Sequence, residues 1–234
     1  MLQRTLRAAL GTVAIAAACT SAQGATVTLD GWAYGRYSEV ATNQYSGKAG
    51  AFGGTLSDAG SFSIERFITY CIDLNQSVSF GTTNTYSIVD GASYFAGAET
   101  ADLIGRLMTY AALNFDSDAG GIAGKGMVGA LQLAIWNVIY DDDLTVSKGE
   151  FRVKSKEMDR RVVAGANIIL EGAASLKDSI FDVYALKSDT VQDLLLVSLK
   201  DSGGGGSAVP EPGTAALALL ALGAAGAGLR RRKS

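Results

Sequence analysis

The sequence predicts an α+β domain, a β-sandwich or barrel with a helical insertion, preceded by a signal peptide and followed by a transmembrane helix. Three observations predict it. Apolar residues alternate with period two along residues 61–74. Three stretches between residues 100 and 176 carry apolar stripes of period near 3.6. Uncharged runs flanked by cations stand at both ends of the chain.

Residues 1–24 read as a secretory signal. Arg4 and Arg7 precede an apolar run from Ala8 to Ala18, and small residues follow at Ala22, Gly24 and Ala25. The run is roughly 11 residues, the length of a signal h-region and too short to span a bilayer. Cleavage is expected near Ala22 or Gly24. Cys19 after three alanines is a poor lipobox, with Ala where Leu is usual.

The body, residues 25–200, opens strand-like, with Thr26-Val27-Thr28-Leu29 and an aromatic, Gly-rich stretch through Trp32, Tyr34, Tyr37 and Tyr45. These rings belong to a strand core or stack on sugars, and aromatic strands are more often core. The clearest strand is 61–74. Phe62, Ile64, Ile68, Tyr70, Ile72 and Leu74 share one face, interrupted by Arg66, which leaves Cys71 on the other face with Thr69 and Asp73.

A helix is expected from an N-cap at Thr100, with Leu103, Ile104, Leu107, Met108 and Ala111 inward. A Gly-rich loop at 120–129 leads to a second, with Leu131, Ala134, Ile135 and Val138 on one face and Gln132 and Trp136, four apart, on the next. Asp141-Asp142-Asp143 after it is a solvated turn or a set of calcium carboxylates. A third helix spans about 155–176, with Met158, Val162, Ala166, Ile169 and Leu170 inward and a solvated charged face. Strands near 180–186 and 191–199 close the domain.

The end of the chain has three parts. Residues 201–208 are a Gly/Ser linker, a flexible tether. Val209-Pro210-Glu211-Pro212 carries the only two prolines of the chain. Residues 213–229 are uncharged, about 17 residues and at the lower limit for a transmembrane helix, and Arg230, Arg231, Arg232 and Lys233 form a stop that stays cytoplasmic. This order resembles the PEP-CTERM sorting signal of Gram-negative bacteria that make exopolysaccharide. The resemblance covers 209–234. It implies processing by an exosortase at the inner membrane and delivery to the cell surface or the extracellular matrix, and nothing about the body it carries.

Composition narrows the chemistry. Removing two signal arginines and four terminal cations from 20 bases, and Glu211 from 23 acids, leaves residues 25–208 with 14 bases against 22 acids, a net of −8. Phosphate binding needs clustered cations, so no nucleic-acid partner is expected. The chain has no histidine, which removes Ser-His-Asp and Cys-His nucleophile pairs and the usual zinc sites. No enzyme activity, cofactor or metal is expected. Without the signal, Cys71 is the single cysteine, so it is buried and inert, pairs between chains, or is chemically used.

Tyr70-Cys71-Ile72 on a strand and Leu131-Gln132-Leu133-Ala134-Ile135-Trp136 on a helix resemble the paired signatures of the Cys-Gln thioester domains of bacterial surface adhesins. The resemblance covers roughly 30–145 and departs at Leu131, where the adhesins usually carry Thr. It implies a thioester between Cys71 and Gln132, shielded from water by Trp136, and covalent attachment to an amine-bearing surface partner. The alternative is a non-reactive structural or carbohydrate-binding protein of the exopolysaccharide matrix.

Overall fold

A computed structural model of the chain describes residues 24–58, 62–115, 126–141, 143–154, 156 and 158–200. The expected signal up to residue 23, the 201–208 linker, Pro210, Glu211, Pro212, the 213–229 helix and the stop from Arg230 to Lys233 lie outside the described residues, as does most of the 120–129 loop.

The first strand, β1 (Gly24–Trp32), alternates as its sequence demands: Ala25, Val27 and Leu29 are buried and the threonines between them are half-buried. A short hairpin follows, β2 (Ser38–Ala41) and β3 (Ser46–Ala49), which pair only with each other among the described strands. Then come β4 (Phe52–Asp58), β5 (Phe62–Thr69) and β6 (Thr83–Asp90). After β6 lie the helices α1 (Gly91–Tyr94), α2 (Ala98–Asn114), α3 (Met127–Tyr140) and α4 (Arg160–Ser175), and β7 (Phe181–Lys187) and β8 (Leu194–Leu199) complete the body.

Six strands make one antiparallel sheet in the order β5-β4-β1-β6-β7-β8. The strands flanking the helices, β6 and β7, pair directly from Ser87↔Lys187 to Asp90↔Tyr184, so the helices are an insertion between sheet neighbours. Instead of a two-layer sandwich or a closed barrel, the protein has a single curled sheet, a half-barrel. The physical reason lies at its edges. The edges β5 and β8 approach where Leu195 N–H donates to the Tyr70 carbonyl at 2.9 Å and Ile72 N–H to the Asp193 carbonyl at 3.1 Å. Beyond that short stretch the helices cover what a second sheet would.

The helix α3 is the centre of the molecule. Every residue from Val128 to Val138 is buried, so it has no polar face. Its neighbours are amphipathic: α2 buries Ile104, Leu107, Met108 and Ala111, and α4 buries Val162, Ala166, Ile169, Leu170 and Ala173 while leaving Ile168 exposed. Each fully buried aliphatic side chain contributes about 1.5–3 kcal/mol, which holds α2 and α4 against α3. None of the described helices is long and apolar enough to cross a membrane.

Three boundaries differ from expectation. The strand expected to reach residue 74 ends at Thr69, because the chain there leaves β4 and crosses toward β8. The expected cap at Thr100 lies inside α2, whose N-cap is Gly97 without a side-chain bond. The third helix starts at Arg160 with Asp159 as its cap, its carboxylate accepting from Arg161 N–H at 2.9 Å. Met158 fits the stripe but is not helical; its sulfur accepts from Ala41 N–H.

Candidate functional site

The segment 70–74 is held at nearly every residue. Because Tyr70 and Ile72 exchange bonds with Leu195 and Asp193, Cys71 and Leu194 form a non-hydrogen-bonded pair, and the Cys71 N–H and carbonyl point away from β8. Further along, Tyr140 of α3 receives Leu74 N–H at 3.0 Å, and Gln192 donates its amide to the Asp73 carbonyl at 2.6 Å.

Gln132 takes the free backbone groups of Cys71. The Cys71 N–H donates to Gln132 Oε1 at 3.0 Å, and Gln132 Nε2 donates to the Cys71 carbonyl at 2.8 Å. Both partners are buried, Gln132 completely. A glutamine with no access to water on a helix buried on every side is costly unless paired; here both ends of its amide are satisfied by one residue. Close approach of α3 to the hairpin depends on Gly129, where a side chain would strike the Ser38 hydroxyl.

The two residues expected to act together are therefore brought together across 61 positions. The strand reading of Cys71 needs correction, however. It does not lie on a face turned from the core. Cys71 sits among the buried apolar residues with Tyr70 and Ile72 on either side, because the crossing segment is covered on both faces.

Cys71, Gln132 and Trp136 line one cavity of about 230 Å³, with Tyr45, Lys48 and Asp73 among its other walls. Trp136 is 2% exposed, and its ring meets Tyr45 edge-on at 5.2 Å on the walls of the cavity that Gln132 also lines. Tyr45 is fixed in turn by its hydroxyl, which donates to the Lys48 carbonyl at 3.0 Å. Burial pushes the Cys71 thiol well up, and the nearby Asp73 carboxylate pushes the same way, so the thiol holds its proton. Burial raises Tyr45 and Tyr140 as well.

Chemically, the arrangement sets a thiol-bearing residue beside a carboxamide whose oxygen and nitrogen are both hydrogen-bonded to its backbone. The Cys71 N–H stands where an oxyanion would form on Gln132 Oε1, and the Cys71 carbonyl holds the nitrogen that would leave. Sequence reading missed Tyr140 and Gln192, and it named Tyr45 and Asp73 without placing them beside Cys71 and Gln132 in one cavity. Only Asp73 had a local signal, its place two residues beyond Cys71 on the same strand face; the others come from the hairpin turn, the end of α3 and the approach to β8.

The acidic run after α3 is spent on its own loop. Asp141 Oδ2 accepts from Phe151 N–H at 2.7 Å and Asp143 Oδ1 from Thr145 N–H at 3.1 Å, around a Gly149 at φ +85°. Asp142 lies outside the described residues. Among the described residues no three acidic or cysteine side chains gather as a metal site.

Around Trp32 the aromatics form a cluster, with Tyr37, Phe52 and Phe80 rings at 5.3, 4.9 and 5.9 Å. Phe52 is buried while Tyr37 and Phe80 remain exposed. The cluster adjoins the cavity, since Trp32 and Phe52 also line it.

Comparison with known proteins gives one match. Residues 208–233 match the PEP-CTERM protein-sorting motif. The motif implies an exported protein that passes through the membrane toward the cell surface and is sorted by an exosortase. No curated protein and no solved structure matches the chain.

Proposed function

We propose that this exported protein attaches covalently to an amine-bearing partner at the cell surface or in the exopolysaccharide matrix, through a thioester between Cys71 and Gln132. The observation that supports the reading is the two-way hydrogen bonding of the Gln132 amide to the Cys71 backbone at 3.0 and 2.8 Å. It holds the acyl carbon against the residue that carries the nucleophile.

The steps balance without metal or cofactor. The Cys71 sulfur adds to Gln132 Cδ, the Cδ–Nε2 bond breaks, and ammonia leaves with the thiol proton. The stored acyl group is later attacked by a partner's amine nitrogen; the Cδ–Sγ bond breaks, an amide forms, and the proton displaced from the amine returns to Cys71. Trp136 and Tyr45 delay the competing attack of water. Delivery by the sorting tail, with the 213–229 helix as a transient membrane anchor and the terminal cations as its stop, would present the body where such partners are found.

A labelled alkylamine tests the reading. The exported protein should take up the label irreversibly, and the Cys71→Ala and Gln132→Ala variants should take up none. Equal labelling of all three would sink it.

A second reading is supported by a separate observation, the exposed Tyr37 and Phe80 rings beside Trp32. They suit non-covalent stacking on sugar rings by a structural matrix protein. Retention on purified polysaccharide by Cys71→Ala, lost on Tyr37→Ala, would favour it.

A further inference from the structure

Thioester formation at this site needs a group that takes the proton from a buried thiol and returns it to the departing nitrogen. A neutral thiol is a weak nucleophile, and an amide nitrogen leaves only when protonated. The usual carrier, histidine, is absent from the chain.

The cavity supplies few alternatives. Its described walls contain four groups that exchange protons, namely Cys71, Tyr45, Lys48 and Asp73. Lys48 is a cation with no lone pair to accept a proton, and it lies over the Tyr37 ring at 4.4 Å. Tyr45 is a phenol that burial keeps protonated. Outside the walls, burial makes Tyr86 of β6 and Tyr140 of α3 hold their protons more tightly than usual. The other nearby carboxylate, Asp193, is engaged by the Tyr94 hydroxyl at 2.7 Å and Ser188 N–H at 2.7 Å.

Resting on the thioester reading, we infer that Asp73 is the proton acceptor for Cys71 and the donor to the leaving nitrogen of Gln132. Asp73 stands two residues from Cys71 along a segment whose backbone is held on both sides, and it is the one carboxylate on the described walls of the cavity. Its own loop orients it, since Oδ1 accepts Asn75 N–H at 2.6 Å. The step balances. The thiol proton moves to the Asp73 carboxylate, sulfur bonds to Gln132 Cδ, and the Cδ–Nε2 bond breaks as the Asp73 proton passes to Nε2. Ammonia departs and Asp73 is a carboxylate again. The raised thiol of Cys71 is consistent with this need, since it will not ionise unaided.

The test follows loss of ammonia by intact mass in freshly synthesised full chain, for wild type, Asp73→Asn and Asp73→Glu, with thermal melts of each. Asparagine keeps an oxygen for Asn75 but accepts no proton; glutamate restores the base at a shifted position. The expected result is ammonia loss slowed by about 100-fold or more in Asp73→Asn and partly restored in Asp73→Glu. A rate in Asp73→Asn within a few-fold of wild type overturns the role of Asp73 while leaving the thioester standing. Equal slowing in both variants also overturns it, because restoring a base would then restore nothing. A wild type that never loses ammonia overturns the thioester reading itself and this inference with it.

Discussion

The main chain of Cys71 and the side-chain amide of Gln132 are bonded in both directions, N–H to Oε1 at 3.0 Å and Nε2 to carbonyl at 2.8 Å. The pair links the segment after β5 to the central helix, so it is a packing device and also the geometry on which the proposed covalent chemistry would depend. Its consequences for stability and reactivity can be measured separately.

The proposed thioester would be a cross-link between positions 61 apart. By chain entropy, removing it with Cys71→Ala should cost about 4 kcal/mol, against roughly 1 kcal/mol for trimming a small buried side chain. Urea denaturation of the two proteins checks this, and a loss near the smaller figure speaks for a free thiol.

Gln132→Ala should be worse than Cys71→Ala. It removes the same cross-link and leaves the buried Cys71 N–H and carbonyl without partners, at about 1–3 kcal/mol each. The double variant should be little worse than Gln132→Ala alone, because the cross-link is lost only once. Additive losses in that cycle would show that the two side chains are not joined.

Tyr45→Ala should open the cavity with modest harm to the fold, since the side chain contributes one hydroxyl bond and one edge contact with Trp136. The expected loss is about 1–2 kcal/mol, and the rate of methylamine capture should rise about tenfold if the ring excludes attackers, a barrier change near 1.4 kcal/mol. An unchanged rate would assign the shielding to Trp136 alone.

High pH should unfold the body through its tyrosines. Burial raises Tyr86 from its ordinary 10.0 to about 12, and Tyr34, Tyr45, Tyr70, Tyr94 and Tyr140 shift the same way. Above pH about 10 the unfolded chain releases phenolic protons that the folded chain keeps, so the unfolded state binds fewer protons and stability falls as pH rises. It should be flat below that point. Denaturant midpoints across the window, measured on Cys71→Ala to remove thiol and thioester, check the sign.

Much of this was legible before any coordinates. The stripes of α2 and α4 follow from their periods, and two short motifs singled out Cys71 and Gln132, between whose backbone and side-chain amide the hydrogen bonds lie. What escaped has a common physical cause. The alternation of residues 61–74 continues past Thr69 even though the ladder does not, because both faces of the crossing segment are buried and one-dimensional periodicity cannot distinguish the two faces. The curl of the sheet brings the segment just after β5 to β8, an isolated bridge between Cys71 and Leu194 more than a hundred residues apart with no local mark. At four residues α1 is too short to show a period, and Asp159 lies next to a methionine that fits the stripe without being helical.

The most direct test of the thioester is the intact mass of the exported protein before and after mild methylamine. The expected result is a mass short of the sequence by one ammonia, raised by one methylamine on treatment, with the Cys71 thiol appearing in step. A mass equal to the unmodified sequence, with Cys71 free from the start and methylamine without effect, would contradict it and leave a matrix protein that binds without bonding.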